Sequence, residues 1–502
     1  MSGFDYLDLL SLLAPETILV VASLAVLVVD LGFMRAQPLP ARWLAGGVVT
    51  GLGGLLAILW LVNVQVQANV AEGILVVDAL TQLVKTVLVA MLLFTAAISL
   101  RATFTEQVGE YFCLLTLATV GMMFMVSSED VLMIFVALEL TSLSLYILTA
   151  FNQQNRAPAE AGLKYFLFGG MAAAFTLFGL SLVYGLTEAT NLRDIAAQLH
   201  GKTLDPLFTV ALVMVVMGFG FKIAAVPFHL WAPDAYQGAP TPSAALIASG
   251  SKVASFFVFA KVMALGFAGA EGSGAGRQFA PGWVPVLATL SVASMLLGNL
   301  AAIAQTSVKR LLAYSAIAHA GYMLLGLLAM SDPARRADGM AALVYYATTY
   351  GLTTIGAFGV VGVVERNGGE TLEHFAGLSR RSPLAAVCLM VFLLSLAGIP
   401  PLAGFFGKFY LFTAAAGAGA GSLGLIWLVI LAIAMSAVSL YYYLQVLKRA
   451  FVAPLPEGVP PFAASPIESL ALGALALAVI VLGALPMLLL GALVEAVKTV
   501  GF

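Results

Sequence analysis

One glutamate and three lysines stand inside stretches of sequence otherwise fit for a lipid bilayer. Glu139 lies in VLMIFVALELTSLSLYILTA and Lys222 in VMGFGFKIAAVPFHLW. Lys252 sits midway along SAALIASGSKVASFFVFAKV, and Lys408 lies in SLAGIPPLAGFFGKFYLF. A charge at bilayer depth costs from ~3 kcal/mol on insertion scales to more than about 10 in simulations, so such groups face a bundle interior, water or one another. The chemistry open to them is proton movement. Desolvation lowers a lysine's pKa and a nearby carboxylate raises it again. A buried lysine can therefore take up or release a proton as its neighbour's charge approaches or withdraws. Arginine stays protonated and could not serve. The competing explanation is a fixed interhelical ion pair, such as Glu139 with Lys222, serving packing alone. It leaves at least two lysines without a partner.

Two of the lysines sit beside helix breakers. Pro227 lacks the N–H that would bond the carbonyl of Ile223, one residue past Lys222. Pro400 and Pro401, flanked by Gly398 and Gly404, interrupt the run before Lys408. Broken backbone at membrane depth is tolerated only where it is buried in protein or lines a wet cavity. A kink without function would explain either break alone. Gly218-Phe-Gly-Phe-Lys222 and Gly404-Phe-Phe-Gly-Lys408 also share a G-F-x-x-K pattern. Paired interrupted helices point to an internally repeated transporter architecture.

Two histidines join the candidates. His319 lies in LLAYSAIAHAGYMLLGL and His229 follows Pro227. Such residues are often packing groups, but a pKa near neutrality makes histidine a natural proton carrier. Lys85, Lys261 and Lys164 lie near span ends, where long stems can reach the interface. Lys164 also has Glu160 one turn earlier, a favourable helical pair.

The elements that must position these residues follow from composition. The 502-residue chain is 61% hydrophobic and only 10% charged, too little polar surface to coat a water-soluble body. Taking apolar runs of roughly 20 residues as spans, we expect helices near 14–34, 42–63, 79–100, 110–127, 130–150, 162–187, 207–231, 242–265, 283–304, 310–330, 340–364, 383–414, 423–447 and 466–492. The fold class is thus an all-α polytopic membrane protein of about fourteen transmembrane helices, with the seventh and twelfth discontinuous. The breaks lie five spans apart, which suggests two five-helix repeats at spans 4–8 and 9–13. An odd-numbered unit must insert with opposite topology in its second copy, so the repeat would be inverted. His319 in the tenth span would then correspond to Glu139 in the fifth. The expected organisation is 1–105 for the first three spans, 106–265 and 266–450 for the repeats, and 451–502 for the last helix.

Loops after odd-numbered spans carry Arg35, Arg42, Arg101, Arg156, Lys309, Arg310, Arg366, Arg380, Arg381, Lys448 and Arg449. The other side carries Arg193, Lys202, Arg277, Arg335, Arg336 and Lys498. This bias places the odd loops in the cytoplasm and both termini outside. Asp5 and Asp8 precede the first span without the cationic region of a cleavable signal, so that span is expected to be retained. Cys113 and Cys388 stand alone in apolar runs and read as small buried hydrophobes. The glycine-rich pieces Gly272–Gly276 and Gly417–Gly421 lack the lysine of a phosphate loop and read as connections. The net charge of −2 says little about partners, and no basic patch suggests nucleic acid.

Several runs together resemble a known family. GEYFCLLTLATVGMMFMVSSEDVLMIFVALELTSLSLYILTAF, EAGLKYFLFGG, FKIAAVPFHLWAPDAYQGAPTP, KRLLAYSAIAHAGYMLLGL and GIPPLAGFFGKFYLF are similar to the antiporter-like subunits of respiratory complex I, and most of all to the subunit N group of bacterial NADH–quinone oxidoreductase. The resemblance covers spans 3 to 14. It implies fourteen helices with an inverted five-helix repeat. It implies that Glu139, Lys222, Lys252 and Lys408 form a proton relay, with Lys164 and His229 on the same hydrophilic axis and His319 secondary. The M-type subunit has a glutamate where Lys408 stands, and the L-type carries a long C-terminal amphipathic helix absent here. The resemblance further implies that flavin, iron–sulfur clusters, NADH and quinone belong to partner subunits and that this chain binds no cofactor. Expected partners are the subunit M-like antiporter subunit, the small subunits K and J, and phospholipids, in a bacterial inner membrane. Two rivals share these motifs, a multisubunit Na⁺/H⁺ antiporter and a membrane-bound hydrogenase complex. A third possibility is a scaffold whose buried charges only lock helices together.

Overall fold

The structure is a computed structural model and describes residues 6–64, 66–152, 155–200, 205–275, 278–419, 423–455 and 460–500. Asp5, Lys202, Gly276, Arg277 and Gly421, used above, lie outside these residues. Long apolar runs give the helices expected of them. A short α1 (Tyr6–Leu12) precedes α2 (Ala14–Val28), α3 (Leu39–Asn63), α4 (Ala79–Ser99), α5 (Val108–Val126), α6 (Val131–Thr149) and α7 (Arg156–Thr187). The amphipathic α8 (Leu192–Leu199), burying Leu192 and Ile195, was not expected from the apolar runs. The seventh span is split into α9 (Pro206–Lys222) and α10 (Trp231–Gly238). The eighth is split as well, into α11 (Thr241–Ala248) and α12 (Gly250–Lys261). Then follow α13 (Trp283–Ile303), α14 (Val308–Ala329), α15 (Arg336–Glu365) and the short α16 (Leu378–Arg381). The twelfth span is split into α17 (Pro383–Ala397) and α18 (Ala403–Gly417), and α19 (Ile426–Phe451) is continuous. The last is split at Pro486 into α20 (Pro466–Ala484) and α21 (Met487–Val500).

Among the described residues, 12 helical segments are long and apolar enough to cross a membrane. The shorter apolar helices α9 and α17 are the first halves of the two breaks expected at proline. The break before Lys252 came as a finding. No proline marks it, and the chain turns at Ser249 with φ −117° and ψ −84°. Polar side chains open several helices: Asp78 caps α4, Asp130 caps α6, Asn155 caps α7, and Ser307 caps α14. Each supplies acceptors for N–H groups that have no intrahelical partner.

Helices α11, α12 and α15 are surrounded by protein, while α2, α3, α7 and α19 present much of their apolar surface outward. The central helices therefore carry the groups that lipid would not tolerate. Two small hairpins lie in connections, β1 (Ala68–Val70) with β2 (Leu75–Val77) and β3 (Ser273–Ala275) with β4 (Gln278–Ala280).

Two isolated bridges tie the connections together in matching ways. Asp130 pairs with Asn191, and Ser307 pairs with Thr371. Around the first, Val131 N–H donates to Thr190 O and Leu192 N–H to Glu129 O, both at 2.9 Å. Around the second, Val308 N–H donates to Glu370 O and Leu372 N–H to Thr306 O, again both at 2.9 Å. Each bridge joins the start of a long helix (α6 or α14) to the connection after the next span.

Helices α13 and α14 meet backbone to backbone. A Cβ at Gly298 would lie 2.5 Å from Ala318 N and 2.9 Å from Tyr314 O, and neither atom can rotate away. Gly298→Leu is therefore expected to push α14 outward, with His319 on it, at a cost of about 1–3 kcal/mol. The measurement is the thermal midpoint of the purified assembly. An unchanged midpoint would mean the two helices are not in such close contact.

Candidate functional site

The axis begins on α6. Glu139 is half-buried, and its Oε1 is buried without a hydrogen-bond partner. Ser142 and Tyr146 follow at helical spacing and share its face. Lys222, the last residue of α9, points at this face. Its Nζ donates to Ser142 Oγ at 2.5 Å and to Tyr146 OH at 3.3 Å. The expected Glu139–Lys222 ion pair is not made, because the ammonium reaches the hydroxyls one and two turns further along α6. Its position at a helix C-terminus, where unpaired carbonyls carry negative partial charge, also favours a cation.

Lys252 is 1% exposed and stands three residues past the break at Ser249. Its Nζ donates to the carbonyl of Ala316 on α14 and lies 5.8 Å from the Tyr350 ring centre. His319, one turn on from Ala316, is 1% exposed. Its Nδ1 is 2.6 Å from Tyr346 OH and its Nε2 3.1 Å from Tyr443 OH. Tyr443 also meets Ser315. His319 is close enough to Lys252 and Lys408 to interact electrostatically with both.

Lys408 shows what the twelfth-span break provides. Ending α17 at Ala397 frees the carbonyls of Leu396 and Ala397 from intrahelical partners. Lys408 Nζ donates to both at 3.0 Å and to Ser436 Oγ at 2.8 Å. The Tyr322 ring centre is 5.1 Å away. Lys222 and Lys408 lie on opposite sides of their breaks, so the shared G-F-x-x-K pattern does not place them at equivalent positions. His319 is likewise not level with Glu139. Counted from the two bridges, Glu139 matches Ala316 and Ser142 matches His319.

Among the described residues, none of Lys222, Lys252 and Lys408 has a carboxylate within ion-pair distance. The packing-lock explanation needs such partners. Other lysines do have them. Lys85 and Lys261, expected to reach out to the interface, are 1% and 2% exposed. Lys85 instead pairs with Glu16 at 2.7 Å, and Lys261 with Glu129 at 3.6 Å. Their stems point inward because a buried carboxylate waits there. Burial pushes Glu129 up, but the Lys261 and Arg193 charges outweigh it and hold the carboxyl below its usual range.

Lys164 is partly exposed and bridges Glu160 at 2.7 Å and Asp234 at 2.9 Å. Arg310 completes the cluster at 2.7 Å from Asp234. Lys164 and Arg310 both donate hydrogen bonds to the Asp234 carboxylate. Lys164 thus belongs to a surface cluster beside the axis. His229 is buried with Nδ1 unpartnered, in the turn after Pro227. The sequence reading missed the hydroxyl groups: Ser142, Tyr146, Tyr322, Tyr346, Tyr350, Tyr443 and Ser436. The one-turn spacing of Tyr346 and Tyr350 within an apolar run was the available signal.

The chain matches the family described as NADH:quinone oxidoreductase/Mrp antiporter, TM, over residues 128–436. That stretch opens at the turn before α6 and closes at Ser436, so it contains Glu139, Lys222, Lys252, His319 and Lys408. The NADH-quinone oxidoreductase subunit N 2 of Acidobacterium capsulatum is 51% identical, covering 98% of this chain and 99% of the relative. A chain of respiratory complex I from Thermus thermophilus with bound aureothin is 35% identical, with a TM-score of 0.76 over 95% of this chain and 99% of that one. A chain of the archaeal membrane-bound sulfane sulfur reductase shares the fold, with a TM-score of 0.81 at 24% identity over 97% of each chain. This chain therefore belongs to the NADH:quinone oxidoreductase/Mrp antiporter membrane family, within its subunit N group.

Proposed function

We propose that this chain is a proton-translocating, antiporter-like subunit of a membrane-embedded NADH–quinone oxidoreductase. The carrying observation is that three buried lysines, Lys222, Lys252 and Lys408, have no carboxylate partner among the described residues, and that Lys222 instead meets the hydroxyls of Ser142 and Tyr146 on the face of Glu139. In the proposed cycle, events in neighbouring subunits move charge near Glu139. As the carboxylate's influence on Lys222 weakens, that proton is held less tightly and passes towards Lys252. Lys252 hands on to Lys408 past His319, whose ring is oriented by Tyr346 and Tyr443. His229 and Lys164 lie beside the entry region as secondary groups. The redox centres, quinone and nicotinamide belong to partner subunits, so the energy comes from outside this chain. We place the subunit M-like neighbour and the small subunits K and J among those partners, with phospholipids around them.

We also propose the inverted repeat at 106–265 and 266–450, flanked by 1–105 and 451–502. Its support is the pair of matching bridges and the breaks in the seventh and twelfth spans. The loop charges support a bacterial inner membrane with both termini periplasmic. A multisubunit Na⁺/H⁺ antiporter or a membrane-bound hydrogenase is the competing reading, because both could use the same lysines. Purification of the native assembly decides. Companion subunits carrying flavin and iron–sulfur clusters, with NADH-driven proton movement, are expected. A redox-free assembly exchanging sodium for protons would overturn the reading.

A further inference from the structure

A cleft of about 380 Å³ opens where the first turn of α3 meets the connection after α4, the end of α15 and the start of α20. All four lie on the side where the loops carry most arginine and lysine. Trp43 lines this cleft and is 1% exposed, yet its indole N–H has no hydrogen-bond partner. A buried indole N–H usually finds an acceptor. Arg101 lines the cleft too. It is exposed and, among the described residues, makes no ion pair or hydrogen bond. The carboxylate at the cleft, Glu468, is 2% exposed and already engaged. It accepts from Arg366 at 2.5 Å and from Ser465 N–H at 3.0 Å. Behind Asn367, Arg381 is 5% exposed, with its Nε unpartnered and no carboxylate beside it among the described residues. Two helices also begin here, α3 without a side-chain cap and α20 at Ser465. A helix N-terminus carries positive partial charge. The cleft therefore presents free donors and an excess of positive charge.

An apolar groove continues from the cleft along α4. Ala90, Leu93, Ala97 and Leu100 are half-buried at steps of three or four and share one face. Leu100 lines the cleft itself. Leu93 and Leu100 border Gly54 and Gly47 of α3, so α3 forms a wall of the groove. On α3, Pro40, Leu44, Gly51 and Leu55 follow at steps of four and seven and share a face. Leu44 and Leu55 are 47% and 53% exposed, and a Cβ at Gly51 would meet nothing within 4 Å. A cationic cleft at the membrane interface thus leads into an open apolar channel beside α3.

We propose that this cleft holds the headgroup of an anionic phospholipid, with an acyl chain lying in the groove between α3 and α4. The headgroup phosphate accepts from Arg101 and from the Trp43 indole N–H, the two donors left without partners. Guanidinium and phosphate form strong charge-assisted hydrogen bonds. A zwitterionic headgroup brings its own ammonium, which the excess positive charge disfavours. A soluble phosphate could meet the donors but would leave the groove unfilled. The bound lipid ties the start of α3 to the start of α20, and so fastens the first helices to the rest of the bundle. The site is independent of the proton relay.

The test uses the purified native assembly, depleted of lipid in detergent, and follows its thermal midpoint as phosphatidylglycerol is added back. The midpoint is expected to rise, because a ligand of the folded state stabilises it. Arg101→Gln should raise the half-saturating lipid concentration about tenfold, as loss of one charge-assisted hydrogen bond would. Arg101 is exposed and unpaired, so this variant should fold normally. Arg101→Lys should recover most of the affinity, because it keeps the charge. Trp43→Phe should weaken binding less than Arg101→Gln, since it removes a neutral donor. An unchanged half-saturating concentration in Arg101→Gln would overturn the site, as would an equal response to phosphatidylethanolamine. The same stabilisation by inorganic phosphate, lost in Arg101→Gln, would make it a site for a soluble anion instead. A wild type indifferent to lipid, with Leu44→Cys cross-linking to a companion subunit, would show the groove filled by protein and would also overturn the proposal.

Discussion

Lys252→Met is expected to leave the assembly intact and to slow coupled proton movement about a hundredfold, equivalent to about 2.7 kcal/mol of barrier. Methionine matches the length of the lysine stem and carries no proton. The site should accept it, since Lys252 is 1% exposed and, among the described residues, has no carboxylate partner to leave behind. Removing an unpaired buried charge relieves a desolvation cost, so stability should hold or rise. The one orphan would be the carbonyl of Ala316, which is already a helical acceptor. Lys252→Arg separates charge from transfer. Arginine keeps the positive charge but does not release its proton, so it should be as inactive as methionine. Coupled quinone reduction and vesicle acidification measure both variants. Full pumping by Lys252→Met at normal assembly would end the relay reading; activity in the arginine variant alone would reduce Lys252 to a fixed charge.

The sequence displayed the lysines because charge in an apolar run is conspicuous, and proline displayed the breaks beside Lys222 and Lys408. What it concealed has a common cause. Tyr346, Tyr350 and Tyr443 are ordinary in apolar helices, and only their tertiary position makes them polar neighbours of His319 and Lys252. The Ser249 break has no proline because a turn of backbone beside Gly250 suffices there. Tertiary pairing also overrode position along the helix. Lys85 and Lys261 lie near helix ends, where a long stem could reach water, yet each turns inward to a carboxylate from a distant segment. The Glu139–Lys222 pairing failed for the converse reason. Both residues were found, but Ser142 and Tyr146 offered nearer acceptors. The G-F-x-x-K pattern was a coincidence of local sequence. The bridges at Asp130 and Ser307 are a firmer sign of repetition because they match in backbone hydrogen bonding rather than in side chains.

Lys85→Met is expected to be the most destabilising single change outside the relay, at about 3–5 kcal/mol. Lys85 on α4 and Glu16 on α2 are each 1% exposed and 2.7 Å apart. Among the described residues neither carboxylate oxygen of Glu16 has another hydrogen-bond partner, so the ammonium is its compensation there. Without Lys85, a carboxylate stays buried in an apolar setting and must take a proton or draw α2 away from α4. The readout is the thermal midpoint of the purified assembly, with loss of the subunit at growth temperature as the extreme. Glu16→Leu combined with Lys85→Met should recover most of that stability, because a well-packed apolar pair often equals or exceeds a buried ion pair. The cycle separates the penalty of an orphaned charge from the worth of the pair. The double variant should also pump normally, since neither Glu16 nor Lys85 hydrogen-bonds or pairs with Glu139, Lys222, Lys252 or Lys408 among the described residues. A double variant that is stable yet slow in proton movement would instead place Glu16 and Lys85 within the relay.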